Sequence, residues 1–82
     1  MIRMSKKTKK SQQDIQKRLD QYFGKNGLGL DAVKHIPFCA YFEGGGGFVA
    51  VDISEDKDSS YHVVEIQSRE WEYDTRRFLN RI

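Results

Sequence analysis

His35, Cys39 and Glu43 follow one another at intervals of four. On a helix that spacing would bring an imidazole, a thiol and a carboxylate onto one face, a mixed set of zinc-ligating types. Pro37 and the aromatic run after it argue for a strand instead, where the same spacing spreads the groups apart. A second arrangement would set His62 across a sheet from Cys39 as base and nucleophile. That chemistry also needs a third group to orient the imidazole, and nothing in the spacing supplies one. Among the many carboxylates, Asp52 alone is embedded in an apolar strand, the setting that raises a catalytic pKa. It stands beside Ser54 and a polar stretch, so the expected role is to accept N–H bonds from a turn. Glycines 44–47 lead into a strand rather than a helix, and no Lys-Ser/Thr pair follows, so the phosphate-cradling fingerprints fail on context. The four glycines exceed what one tight turn requires, which suggests a flexible tip or a close approach of another backbone. These residues lead us to expect a protein that is not an enzyme and that carries no metal and no cofactor.

The elements that must position these groups follow from periodicity. Ser11 and Asp14 have capping-box spacing, and Ile15, Leu19, Tyr22 and Phe23 then share one helical face, with Gly24 as the expected C-cap. Residues 24–31 read as a glycine-rich connector and 31–35 as one helical turn ended by Pro37. Three strands follow, at 38–43, 48–53 and 61–67. In the second, Val49, Val51 and Ile53 point one way, and Phe48, Ala50 and Asp52 the other. Trp71, Thr75, Phe78, Leu79 and Ile82 recur at helical spacing. Short connectors demand antiparallel hairpins. The expected fold class is therefore α+β: a three-stranded antiparallel sheet with helices on one face, in the order α-β-β-β-α. Its expected core is Ile15, Leu19, Phe23, Phe38, Val49, Val51, Val64, Ile66, Trp71, Phe78 and Leu79.

With 82 residues, one domain is the ceiling. Such a chain buries only roughly 60–65% of the surface its unfolded form exposes. Its ten aromatics compensate in part for 32% charged residues, since each ring buries much area. There is no apolar run long enough for a membrane-spanning helix and no apolar stretch behind the basic N-terminus of the secretory type. A single cysteine excludes an internal disulfide, and a reduced, cytoplasmic setting is the simplest reading. Residues 1–18 hold seven Lys/Arg against one acid, a net of +6, while residues 19–82 carry a net of −4. Lacking an apolar period, residues 1–10 read as a disordered basic arm on a single domain spanning 11–82. Lys6, Lys7, Lys9 and Lys10 of that arm are the candidate nucleic-acid contacts. Glu55, Asp56 and Asp58, which cannot all be buried, together with the adjacent Tyr61, are the candidate protein-partner contacts. The sheet-borne signature of RNA recognition is absent, because GGGGFVAV has one aromatic and no basic residue.

The segment 44–53, GGGGFVAVDI, combines a glycine-rich tip, an aromatic, alternating apolar residues and an Asp-aliphatic pair. It resembles the central hairpin of the SUKH superfamily. The acidic SEDKDSS, the strand YHVVEI, the terminal RRFLNRI and the upstream Ile36-Pro37-Phe38 extend the resemblance over roughly residues 36–82. The longer helical N-terminal part usual in that family, with its Leu-Pro motif, is missing here. The resemblance implies a non-catalytic binding domain, in many members an immunity protein that neutralises a toxin enzyme, often a nuclease. Two other classes compete with it. One is a small nucleic-acid-associated regulator acting through the basic arm; the other is a phage or host inhibitor of unrelated descent.

Overall fold

A computed structural model describes residues 1–82. The elements are β1 (Ile2–Thr8), α1 (Gln12–Phe23), β2 (Asp31–Ile36), β3 (Cys39–Gly44), β4 (Gly47–Glu55), β5 (His62–Arg69) and α2 (Glu72–Asn80). They build a small α+β domain around one five-stranded sheet of order β1-β5-β4-β3-β2, antiparallel at every step. The expected three-stranded sheet and α-β-β-β-α order are thus corrected to five strands and β-α-β-β-β-β-α. Both additional strands are edges, one at each end of the sheet.

β1 occupies the stretch expected to be a disordered arm. Ile2, Met4, Lys6 and Thr8 alternate toward the helices, and Arg3, Ser5 and Lys7 toward solvent. The period of two is present, but Lys6 at an inward position and Lys7 beside it disguise it. Lys6 tolerates its inward place because a lysine stem can lie along apolar surface while its ammonium reaches water. All seven residues pair with β5, from Ile2 opposite Ser68 to Thr8 opposite His62. β2 replaces the expected helical turn. Every one of its residues is exposed, so no burial pattern could have marked it. Pairing with β3 alone defines it, interrupted by a bulge between Ala32 and Lys34.

The core lies between the sheet and the two helices. Ile15, Leu19 and Phe23 of α1 and Phe78 and Leu79 of α2 cover Ala40, Phe42, Val49, Val51, Ile53, Val64 and Ile66, with Leu30 closing one end. Phe23 is the hub, its ring centroid 5.8 Å from that of Phe42 and 5.5 Å from that of Phe78. The expected core is corrected at Phe38, which is exposed, and at Trp71, which is only partly buried. Ser11 caps α1, its hydroxyl accepting the Asp14 N–H at 3.2 Å. Gly24 closes that helix in an extended conformation rather than the left-handed one.

The β3–β4 connection is a two-residue turn. Gly45 and Gly46 both have positive φ, at 60° and 81°, as a tight hairpin of this kind requires. A Cβ on Gly45 would stand 2.7 Å from the Trp71 ring, whose Nε1–H donates to the Gly44 carbonyl at 2.8 Å. A Cβ on Gly47 would collide with the Arg69 carbonyl. The glycine surplus therefore reflects close approach of the β5–α2 connection rather than a flexible tip.

Candidate functional site

The residues weighed in the sequence as catalytic or metal-ligating sets are held apart. Cys39 and Glu43 lie on the outer face of β3, separated by roughly 13 Å of extended chain. His35 projects from β2 toward α1, where its Nε2 meets Asp20 Oδ1 at 2.9 Å. His62 stands at the start of β5, on the face opposite that of Cys39. Its Nδ1 lies 3.1 Å from the Lys10 carbonyl. A carbonyl only accepts, so this contact places the proton on Nδ1. No three metal-ligating side chains converge anywhere in the chain. Asp52 is in mid-strand, between Cys39 and Glu65 on the outer face, and not beside a turn. Like charges directly opposite each other weaken a strand pair.

The two sets of candidate partner residues meet at one corner. Lys7 Nζ lies 2.9 Å from Asp56 Oδ2 and 4.6 Å from the centre of the Tyr61 ring; Lys9 Nζ lies 5.6 Å from the same ring. The hydrogen bond and charge of Lys7 hold the Asp56 carboxyl below its ordinary value, and Asp56 in turn raises the Lys7 ammonium. Asp58 is spent on its own turn, accepting the Ser60 N–H on Oδ1 at 3.0 Å and the Tyr61 N–H on its carbonyl at 2.9 Å. Glu55 and Asp58 both stay exposed and without an ion pair. Lys6 points inward, half-buried, and the Lys10 carbonyl is engaged by His62. The acidic turn and the basic strand thus neutralise each other in part, through the Lys7–Asp56 pair.

A different region presents its side chains to solvent. Ile36-Pro37-Phe38-Cys39 forms the β2–β3 turn, with Ile36 opposite Cys39. Pro37 fits the second position of such a turn, and the third takes positive φ, where glycine or asparagine is usual. Here it is Phe38, at φ 71°. Its carbonyl accepts the Ile53 N–H at 2.8 Å, which anchors the turn to β4. The ring faces outward at 40% exposure, beside Ile36 at 49% and Val33 at 60%. β2 keeps its outer edge unpaired except where Gln16 Nε2 donates to the Ile36 carbonyl, at 2.5 Å. These three apolar residues were not singled out from sequence as contacts; the available signal was a Pro-led turn whose next residue is neither glycine nor polar.

No family model matches the chain, and no curated protein or solved structure is significantly similar to it.

Proposed function

We propose that this chain is a non-catalytic protein-binding domain that receives an extended segment of a partner protein along β2 and the Phe38 turn. The observation that carries this reading is Phe38 itself. A bulky residue held at positive φ costs on the order of 1–3 kcal/mol, and Phe38 lies outside the buried core that would offset it. Instead the turn displays the ring beside two further exposed apolar residues, at a sheet edge with unpaired backbone groups. Strand addition uses such an edge for backbone hydrogen bonds and such side chains for specificity. The bulge at 32–34 bends the first half of β2 away, so the regular stretch for pairing is 34–36. Apolar anchoring by Val33, Ile36 and Phe38 then carries most of the affinity. Inhibition of a toxin enzyme, in the manner of an immunity protein, is the specific form the SUKH resemblance suggests. The hairpin bearing that resemblance is built on β3, the strand that supports β2.

The test starts from affinity capture with the wild-type chain and continues with the purified partner. Phe38→Asp, which tolerates the backbone conformation, should weaken the dissociation constant by about thirtyfold, the loss of one hot spot. Replacing Glu55, Asp56 and Asp58 together by Lys should leave affinity within about threefold. The reverse pattern, a tolerant Phe38 and a sensitive acidic turn, would move the interface to the β4–β5 corner and overturn the reading.

A further inference from the structure

The helical layer holds a second feature, independent of β2. Between α1 and α2 lies a cleft of about 230 Å3, lined by Arg18, Gln21, Tyr22, Phe78, Arg81 and Ile82. Its floor is aromatic, the Tyr22 and Phe78 rings meeting edge to face with centroids 5.7 Å apart. Guanidinium groups enter it from both helices. Arg81 lies over the Tyr22 ring, 5.9 Å from its centre, and has no ion-pair partner. Arg18 is tied to Asp14 through Nε at 3.3 Å, which leaves its terminal nitrogens without a partner. One turn before Arg81, Arg77 also lacks an ion pair and rests against Tyr73. Like charges four apart on a helix repel, and two arginines converging on one cleft repel further. An anion placed between them would relieve both.

We infer that this cleft is a binding site for an acidic side chain of a partner protein, with the carboxylate between Arg18 and Arg81 and its aliphatic stem on the Tyr22–Phe78 floor. Arginine holds a carboxylate by paired N–H donors, a geometry a lysine could not supply. The size of the cleft selects the occupant. It falls below the roughly 300–1,000 Å3 typical of sites for whole small-molecule ligands, but one Asp or Glu side chain fits. The flanking charges select between macromolecules. Asp14 stands beside Arg18, and Asp74 accepts a hydrogen bond from the Tyr22 hydroxyl at 3.4 Å. A continuous polyanion such as a nucleic-acid backbone would run against both carboxylates, whereas a single carboxylate sits between them.

The experiment is an NMR titration of the full chain with the blocked peptide acetyl-Leu-Glu-Glu-Leu-amide, its Gln-Gln counterpart, and a short oligothymidylate. The glutamate peptide should give saturable shifts at the Arg81 Nε–H and the Tyr22 and Phe78 rings, and the glutamine peptide should not. Arg81→Gln should weaken the glutamate peptide by about fivefold or more, and Arg76→Gln, on the same helix but outside the cleft, by about twofold at most. Equal binding of the two peptides, or an Arg81→Gln variant that binds as well as the wild type, would overturn the proposal. So would oligothymidylate moving the same signals more strongly than the peptide, with a steep salt dependence, which would assign the cleft to nucleic acid.

Discussion

β1 and β2 each leave one side of the sheet unpaired, yet they present opposite chemistry. β1 is edged with Arg3, Lys6 and Lys7, and two of these are matched, Arg3 to Glu65 at 3.8 Å and Lys7 to Asp56 at 2.9 Å. Charged residues, lysine above all, are how sheets discourage a further strand. Toward the core the same strand contributes Met4, packed against the apolar cluster, and the buried Thr8. β2 has no buried residue and exposes Val33 and Ile36 beside the Phe38 ring. Its edge carries the bulge, the charged Asp31 and Lys34, and the Gln16 contact at Ile36. One edge supports the fold and repels additions; the other contributes little to the core and displays apolar groups. That contrast is the physical basis for assigning binding to β2.

Removing residues 1–8 should have the largest effect. It strips a full ladder from β5 and uncovers one side of the core, a loss of about 3 kcal/mol or more, so Tm should fall by roughly 15 °C or the chain should fail to fold. Thermal denaturation followed by circular dichroism would show it; a Tm within about 2 °C of wild type would mean that β1 is not part of the folded unit. A matched pair of substitutions sharpens the contrast. Met4→Lys should cost about 2 kcal/mol, near 10 °C in Tm, because it adds an inward charge where apolar surface is buried. Ile36→Lys, already in solvent, should stay within about 3 °C. Equal losses at the two positions would erase the distinction between the edges.

Phe38→Gly should act in the opposite direction. Relief of the positive-φ strain outweighs the added freedom of the unfolded chain, and Tm should rise by about 4–8 °C, equivalent to about 1 kcal/mol, as partner affinity falls. A Tm that falls instead would show that the ring contributes to folding rather than to binding.

How much of this could be read from residues alone differs between the two edges and the middle. The α1 stripe of Ile15, Leu19 and Phe23 and the alternation of Val49, Val51 and Ile53 state their buried faces directly, because burial there follows the period of the element. β1 obeys a period of two as well, but Lys6 occupies one inward position, so the apolar pattern stops after Met4. β2 has no pattern to find. An edge strand exposed on both faces is specified by its neighbour's backbone, which is a tertiary influence. Phe38 misled for a related reason: a large apolar residue reads as core unless the turn that Pro37 starts is recognised. The candidate corner at Asp56 and Tyr61 was visible as charge, but its neutralisation by Lys7 depended on a strand the composition concealed. The arginine cleft requires knowing that Arg18 and Arg81, far apart in sequence, converge.

The smallest expected effect concerns the Lys7–Asp56 pair that closes the β1 edge. Asp56 has a lowered folded pKa, so its contribution is present above the unfolded carboxylate value and lost as pH falls through the folded one. Lys7 has a raised folded pKa, so its contribution is present below the ordinary lysine value and lost as pH rises through the folded one. Lys7→Met should therefore lower Tm slightly at pH 7, and the difference from wild type should vanish in strong acid. A difference that persists unchanged in acid would assign the effect of the substitution to packing instead of charge.

Amide hydrogen exchange on the free chain and on its complex tests the central claim most directly. In the free chain the β1 and β5 amides that face each other should be slow to exchange, and the outward amides of β2 fast, since nothing pairs with them. On binding, slowing should concentrate at residues 33–38 and leave β1 unchanged. Protection that appears at β1 or the 55–61 turn, with β2 exchanging as in the free chain, would contradict the account.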